Sequence, residues 1–147
     1  MSILITGVGG FIGFHTAIFF LKKKIKIIGV DNLNNYYDVK LKNARLNQLK
    51  KFKNFTFLKK DIQDKKIFKD LKREKINCII NLAAQAGVRH SLKDPYTYIN
   101  SNILGHLNLL ELAREFDITK FIYASSSSVY GGNKSLPFSV KDRVDNP

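Results

Sequence analysis

Between an apolar run, Ile3-Leu4-Ile5, and an apolar stretch that begins at Phe11, the chain carries Thr6-Gly7-Val8-Gly9-Gly10-Phe11-Ile12-Gly13. Gly7, Gly10 and Gly13 form a GxxGxxG pattern. A strand that turns this abruptly into a helix needs these positions small. Gly7 permits the tight turn, Gly10 lets backbone N–H groups approach a pyrophosphate, and Gly13 lets the helix pack closely on the sheet. The helix N-terminus then faces the anion. A glycine turn that merely caps a helix is the alternative. Asp31 argues against it, because it closes a second apolar run, Ile25 to Val30, 18 residues after Gly13. A carboxylate there accepts hydrogen bonds from ribose hydroxyls and repels a 2′-phosphate, which favours NAD over NADP.

The remaining pattern alternates in the same way. Helical spacing from Val39 to Lys51 is followed by a strand, Phe55 to Leu58. A short helix from Asp64 to Glu74 precedes a strand from Ile76 to Ile80. A long helix from Pro95 through Arg114, with proline in its first turn, precedes a strand from Phe121 to Ala124. Strands alternating with helices predict a doubly wound α/β fold with a parallel sheet, the Rossmann type. Continuous Ile, Leu and Val runs suit strands buried on both faces. Ligands are expected at the carboxyl ends of the strands. No solenoid period and no low-complexity linker divides the chain, so residues 1–147 are read as one dinucleotide-binding domain.

Composition narrows the partners. The net charge is +13, and residues 22–75 carry eighteen Lys and Arg against six Asp and Glu. The excess is mostly lysine, without arginine clusters or a basic stripe set with aromatics, so a solvated surface is expected and no specific nucleic acid partner. The single cysteine, Cys78, excludes a disulfide framework and a multi-cysteine zinc site; no metal is expected. The apolar run from Phe11 to Leu21 is shorter than the ~20 residues that span a bilayer. Its lysines follow rather than precede it, unlike those of a signal peptide. No membrane association is expected, and the cytoplasm is the default compartment.

The order of GVGGFIG, Asp31-Asn32-Leu33, Asp61-Ile62, Asn81-Leu82-Ala83-Ala84 and YASSSSVYG resembles the extended short-chain dehydrogenases/reductases. Within them, the whole chain is similar to the N-terminal part of the NAD-dependent nucleotide-sugar epimerases and dehydratases. Residues 31–46, 83–92 and 125–131 are most like those of the UDP-glucuronate 4-epimerases. This resemblance implies a reaction in which hydride passes from sugar C4 to NAD and returns to the opposite face. It also implies a UDP-sugar substrate, a uronate in particular, and a homodimer in the full-length family form.

The resemblance also assigns positions. Gly7, Gly10, Phe11, Ile12 and Gly13 would hold the pyrophosphate. Asp31, Asn32 and Asn35 would hold the adenosine ribose, and Asp61 and Ile62 would frame adenine. Leu82, Ala83, Ala84 and Gln85 would line the dinucleotide, with Ser101 and Asn102 on the helix behind it. Ser126 matches the catalytic Ser/Thr, and Ser127 and Ser128 would contact the sugar, although a four-serine run also suits a plain polar turn. Arg89 is the candidate for an acidic substrate, since guanidinium pairs with carboxylate or phosphate in a fork. It equally suits a surface arginine or one serving the pyrophosphate.

The family's Tyr-x-x-x-Lys pair is expected beyond Pro147, so the chain reads as an N-terminal fragment. Tyr130 and Lys134 have the spacing, but Gly131 and Gly132 interrupt any helix between them. Tyr36 and Lys40 lie in the segment matched to cofactor binding. Two alternatives stay open: a cofactor-binding module without its own catalysis, and another nucleotide-sugar enzyme such as UDP-glucose 4-epimerase.

Overall fold

The computed structural model describes residues 1–72 and 74–145. Five strands, β1 (Ser2–Thr6), β2 (Lys26–Asp31), β3 (Phe55–Lys59), β4 (Cys78–Asn81) and β5 (Phe121–Tyr123), form one sheet in the order β3-β2-β1-β4-β5. All four pairings are parallel, with Ile3 opposite Ile27 on one side and Cys78 on the other. The order reverses at β1, which places a crevice at the carboxyl ends of β1 and β4.

The two-residue alternation of the strands distributes their side chains into two cores. Ile3, Ile5, Ile27, Cys78 and Ile80 pack with Phe14, Ala17 and Leu21 of α1 (Phe11–Lys22) and with Leu46 and Leu49 of α2 (Val39–Leu49). Leu4, Ile28, Val30 and Ile79 face the opposite way. They pack with Ile67 and Leu71 of α3 (Ile67–Leu71) and with Leu109, Leu112 and Ala113 of a later helix (Gly105–Glu115). Helices on both faces make the doubly wound α/β architecture that the alternation of elements predicts.

Three segments differ from the sequence expectation. The helix expected over 64–74 is confined to α3, because Asp61 and Asp64 accept hydrogen bonds from the N–H groups of Gln63 and Lys66 and fold the preceding residues into turns. A one-turn helix, α4 (Val88–Ser91), follows Gly87, whose φ is +99°. The long helix runs from α5 (Pro95–Tyr98) into α6 (Gly105–Glu115) through a wider π-helical stretch, Ile99–Leu104. Ile99, Ile103, Leu107 and Leu110 along it are exposed. No helix among the described residues is long and apolar enough to cross a membrane.

Candidate functional site

The crevice is built first from its turn. Gly7 has φ +73°, and a Cβ on it would lie 2.9 Å from the backbone of Leu82 and Ala83. The Gly7 N–H donates to the Val30 carbonyl at 2.7 Å, and the Gly7 carbonyl accepts from Gly10 N–H at 3.0 Å. A Cβ on Gly13 would come 2.1 Å from that same carbonyl. The loop therefore folds against β2, β4 and the first turn of α1 at once. Gly10 caps α1 without a side-chain hydrogen bond, and no acidic residue occupies the first turn. The leading N–H groups of α1 are thus left for an anion.

The other walls are held by polar side chains acting on backbone. The Thr6 hydroxyl donates to Asn81 Oδ1 at 2.6 Å and accepts from the Leu82 and Ala83 N–H groups at 3.1 Å each. Asn81 Nδ2 lies 3.0 Å from His106 Nδ1. Because Asn81 Oδ1 already accepts from Thr6, Nδ2 is the donor and His106 accepts through Nδ1. Asn102 accepts from the Gln85 N–H at 2.8 Å and donates to the Gln85 carbonyl at 3.0 Å. Asn108, buried on α6, donates to the carbonyls of Ile62 and Gln63, both at 2.9 Å.

These constraints enclose a cavity of about 240 Å³. Of the residues singled out from sequence, Gly7, Gly10, Asp31, Asn32, Asp61, Ile62, Leu82, Ala83, Ala84, Gln85 and Ser101 line it. Asp31 is buried; its Oδ2 accepts from Gly9 N–H at 2.9 Å and its Oδ1 from Leu33 N–H at 2.8 Å. Asn32 Nδ2 donates to Asp61 Oδ2 at 2.8 Å, joining the β2 and β3 ends.

Phe11, Ile12, Gly13 and Asn35 lie outside the lining. Phe11 and Ile12 expose their side chains at the start of α1. Asn34 borders the cavity in place of Asn35. Arg89 sits on α4, and Ser126, Ser127 and Ser128 lie in an exposed turn after β5, Ser127–Tyr130, none of them on the cavity wall. Ser126 Oγ accepts from the Ser128 N–H at 3.2 Å, so the serine run forms its own cap. The Tyr130 ring stacks on Phe138 with centroids 4.4 Å apart, and Gly131 with φ +51° follows it, so no helix joins Tyr130 to Lys134. Tyr36 precedes α2 and lines the cavity, whereas Lys40 lies within α2.

Sequence reasoning missed a layer beneath the glycine loop. The Tyr37 hydroxyl donates to the Gly9 carbonyl at 3.1 Å, and Arg45 Nη1 donates to the same oxygen at 3.1 Å. Burial pushes the Tyr37 phenol above its ordinary range, opposed by the charge of Arg45. Lys42, Lys60 and Asn34 also reach the cavity. The available signal was the three-residue spacing of Lys42 and Arg45, which puts both on one side of α2, with Tyr37 just ahead of that helix.

Comparison with known proteins agrees with this geometry. A family model described as GDP-mannose 4,6 dehydratase matches residues 4–146. UDP-glucuronate 4-epimerase of Thermodesulfobacterium geofontis is 49% identical over 145 residues, covering 98% of this chain and 45% of that protein. Protein CapI of Staphylococcus aureus is 51% identical, covering 100% of this chain and 44% of that protein. The crystal structure of UDP-glucuronic acid 4-epimerase from Bacillus cereus, in complex with UDP-glucuronic acid and NAD, superposes with a TM-score of 0.86. It is 35% identical and is matched over 97% of this chain and 45% of that one. The chain spans about half the length of the curated relatives it matches. With a family model matched over nearly its whole length, and a parallel sheet whose glycine turn opens on the crevice, the chain belongs to the GDP-mannose 4,6 dehydratase family of NAD-dependent nucleotide-sugar epimerases and dehydratases.

Proposed function

We propose that this chain is the NAD-binding part of a UDP-glucuronate 4-epimerase. The observation that carries the reading is the cavity at the β1, β2 and β4 ends, with Asp31 and Asp61 on its wall beside the first turn of α1. The residues present fit a dinucleotide. The glycine turn leaves backbone N–H groups for a pyrophosphate. Asp31 retains a free lone-pair direction on each oxygen after Gly9 and Leu33 are served. Asp61 and Ile62 supply an acceptor and an apolar face for adenine. NAD, when bound, accepts hydride from the sugar C4 and returns it.

The work of the chain itself is to bind and orient. The clamps of Thr6, Asn81 and Asn102 hold residues 82–85 against the cofactor cavity without needing to move. Ser126, at the carboxyl end of β5, is assigned to hydrogen-bond the sugar 4-oxygen as its proton leaves, and Ser127 and Ser128 to contact the sugar. Arg89 is assigned to an anionic group of the substrate.

Cofactor choice tests the proposal. Calorimetry on the folded chain is expected to show NAD binding tighter than NADP, because a 2′-phosphate meets the Asp31 carboxylate. Asp31→Ala is expected to weaken NAD by roughly ten- to hundred-fold, the scale of a lost charged hydrogen bond, and to erase the preference. Equal or tighter binding of NADP by the native chain contradicts the assignment.

A further inference from the structure

His106 stands in the first turn of α6, half-buried against the ends of β4 and β5. Its Nδ1 lies 3.0 Å from Asn81 Nδ2. Its ring meets those of Phe121 and Tyr123 edge-on, with centroids 5.4 Å and 5.1 Å away. Tyr123 is the titratable group that faces it. The residues three and four positions away along its own helix, Asn102, Ile103, Leu109 and Leu110, carry no charge. No ion pair among the described residues includes it. Among those residues no buried side-chain nitrogen or oxygen lacks a partner, so Nε2, which bonds no protein group, meets water.

The chain of hydrogen bonds that ends at this ring has one workable direction. Thr6 Oγ1, fully buried, spends both lone pairs on the Leu82 and Ala83 N–H groups, so its own hydrogen must go to Asn81 Oδ1. Asn81 Nδ2 then needs an acceptor, and neutral His106 supplies one at Nδ1. An imidazolium carries a hydrogen at every edge position, so no rotation of the charged ring restores an acceptor. Turning the Asn81 amide over instead would aim three donors at Thr6 Oγ1 and leave the threonine hydrogen with nothing to bond. Leu82 and Ala83 border the cavity, so the strain of a protonated His106 reaches its wall.

We infer that His106 is a positioning residue: its neutral imidazole, accepting at Nδ1, fixes the direction of the Asn81–Thr6 hydrogen bonds that hold residues 82 and 83 in place, and its protonation loosens them. The effect on cofactor rests on the NAD reading above. The neutral ring favours the bound form, so NAD affinity falls as pH falls through the His106 titration. A merely structural role, in which the ring only fills space beside Phe121 and Tyr123, carries no such dependence.

The imidazole nitrogen resonances of the native chain locate that titration and report the tautomer. The proton is expected on Nε2 in the neutral form. Calorimetry is expected to show NAD binding roughly ten-fold more weakly on the acid side, the scale of one lost hydrogen bond. His106→Phe keeps a ring and removes the acceptor; its affinity should be low at both pH values. His106→Asn places a carbonyl that does not titrate where Nδ1 stood, and should rescue the affinity at both. The opposite tautomer, a ring that stays neutral until the chain unfolds, a constant native affinity across the titration, or a native pH profile in His106→Asn each overturn the inference. So does full affinity in His106→Phe. If the native chain binds no NAD, the cofactor reading falls by itself. The temperature dependence of the Leu82 and Ala83 amide shifts then decides on His106: it should steepen on the acid side in the native chain and not in His106→Asn, and equal behaviour of the two overturns the inference.

Discussion

Gly13→Ala is expected to lower the stability of the chain by about 3 kcal/mol or more and to abolish NAD binding, the stability effect lying at the severe end for one added methyl group. The new Cβ would lie 2.1 Å from the Gly7 carbonyl and 2.7 Å from its carbon. Those atoms are backbone and cannot rotate away. The Gly7 carbonyl accepts from Gly10, and the Gly7 N–H is held by Val30 at the end of β2. Relief requires α1 to shift off the sheet, which disturbs Phe14, Ala17 and Leu21 in the core and displaces the helix N-terminus from the crevice. Urea unfolding reports the first effect through its midpoint, and calorimetry with NAD reports the second. An unchanged midpoint with intact binding would mean that the helix is not seated on the turn as described.

Ser126→Ala is expected to slow interconversion of UDP-glucuronate and UDP-galacturonate by roughly 10²–10⁴-fold, the range for loss of a group that assists proton transfer. The assay uses a chimera in which this chain is followed by the remainder of the Bacillus cereus enzyme. Ser126 caps its own turn through the Ser128 N–H and is exposed, so the substitution leaves both cores untouched. The loss should therefore fall on kcat while NAD affinity and the unfolding midpoint stay close to those of the parent chimera. A loss below about three-fold, far under that proton-transfer range, would remove Ser126 from the reaction and leave the serine run as a polar turn.

Much of the sheet could be read directly from the chain, because a strand buried on both faces announces itself as an uninterrupted run of branched apolar residues. Ile3-Leu4-Ile5 and Ile25 to Val30 predict β1 and β2 to within a residue or two of Ser2–Thr6 and Lys26–Asp31. The glycine turn was equally legible, since its spacing follows from local sterics. What stayed hidden depends on partners distant in sequence. The wide turn over Ile99–Leu104 leaves no mark in periodicity, which reports which face is apolar and not which carbonyl each N–H meets. Asn34 and Asn35 are adjacent and chemically identical; only the position of Lys42 on α2 distinguishes the one beside the cavity. Nothing in the spacing of Asn81 and His106 pairs them, and they meet only when β4 and α6 are brought together.

The two bonds from Asn102 to Gln85 have a consequence in time. Gln85 belongs to no helix or strand, yet its N–H and its carbonyl are both engaged, by a side chain from the helix across the crevice. A backbone amide held in this way exchanges with solvent only when the whole supporting unit opens. Deuterium should therefore enter Gln85 on the slow schedule of the β4 core and not on that of an irregular loop. In Asn102→Ala it should enter on the fast schedule, while the β4 amides keep theirs.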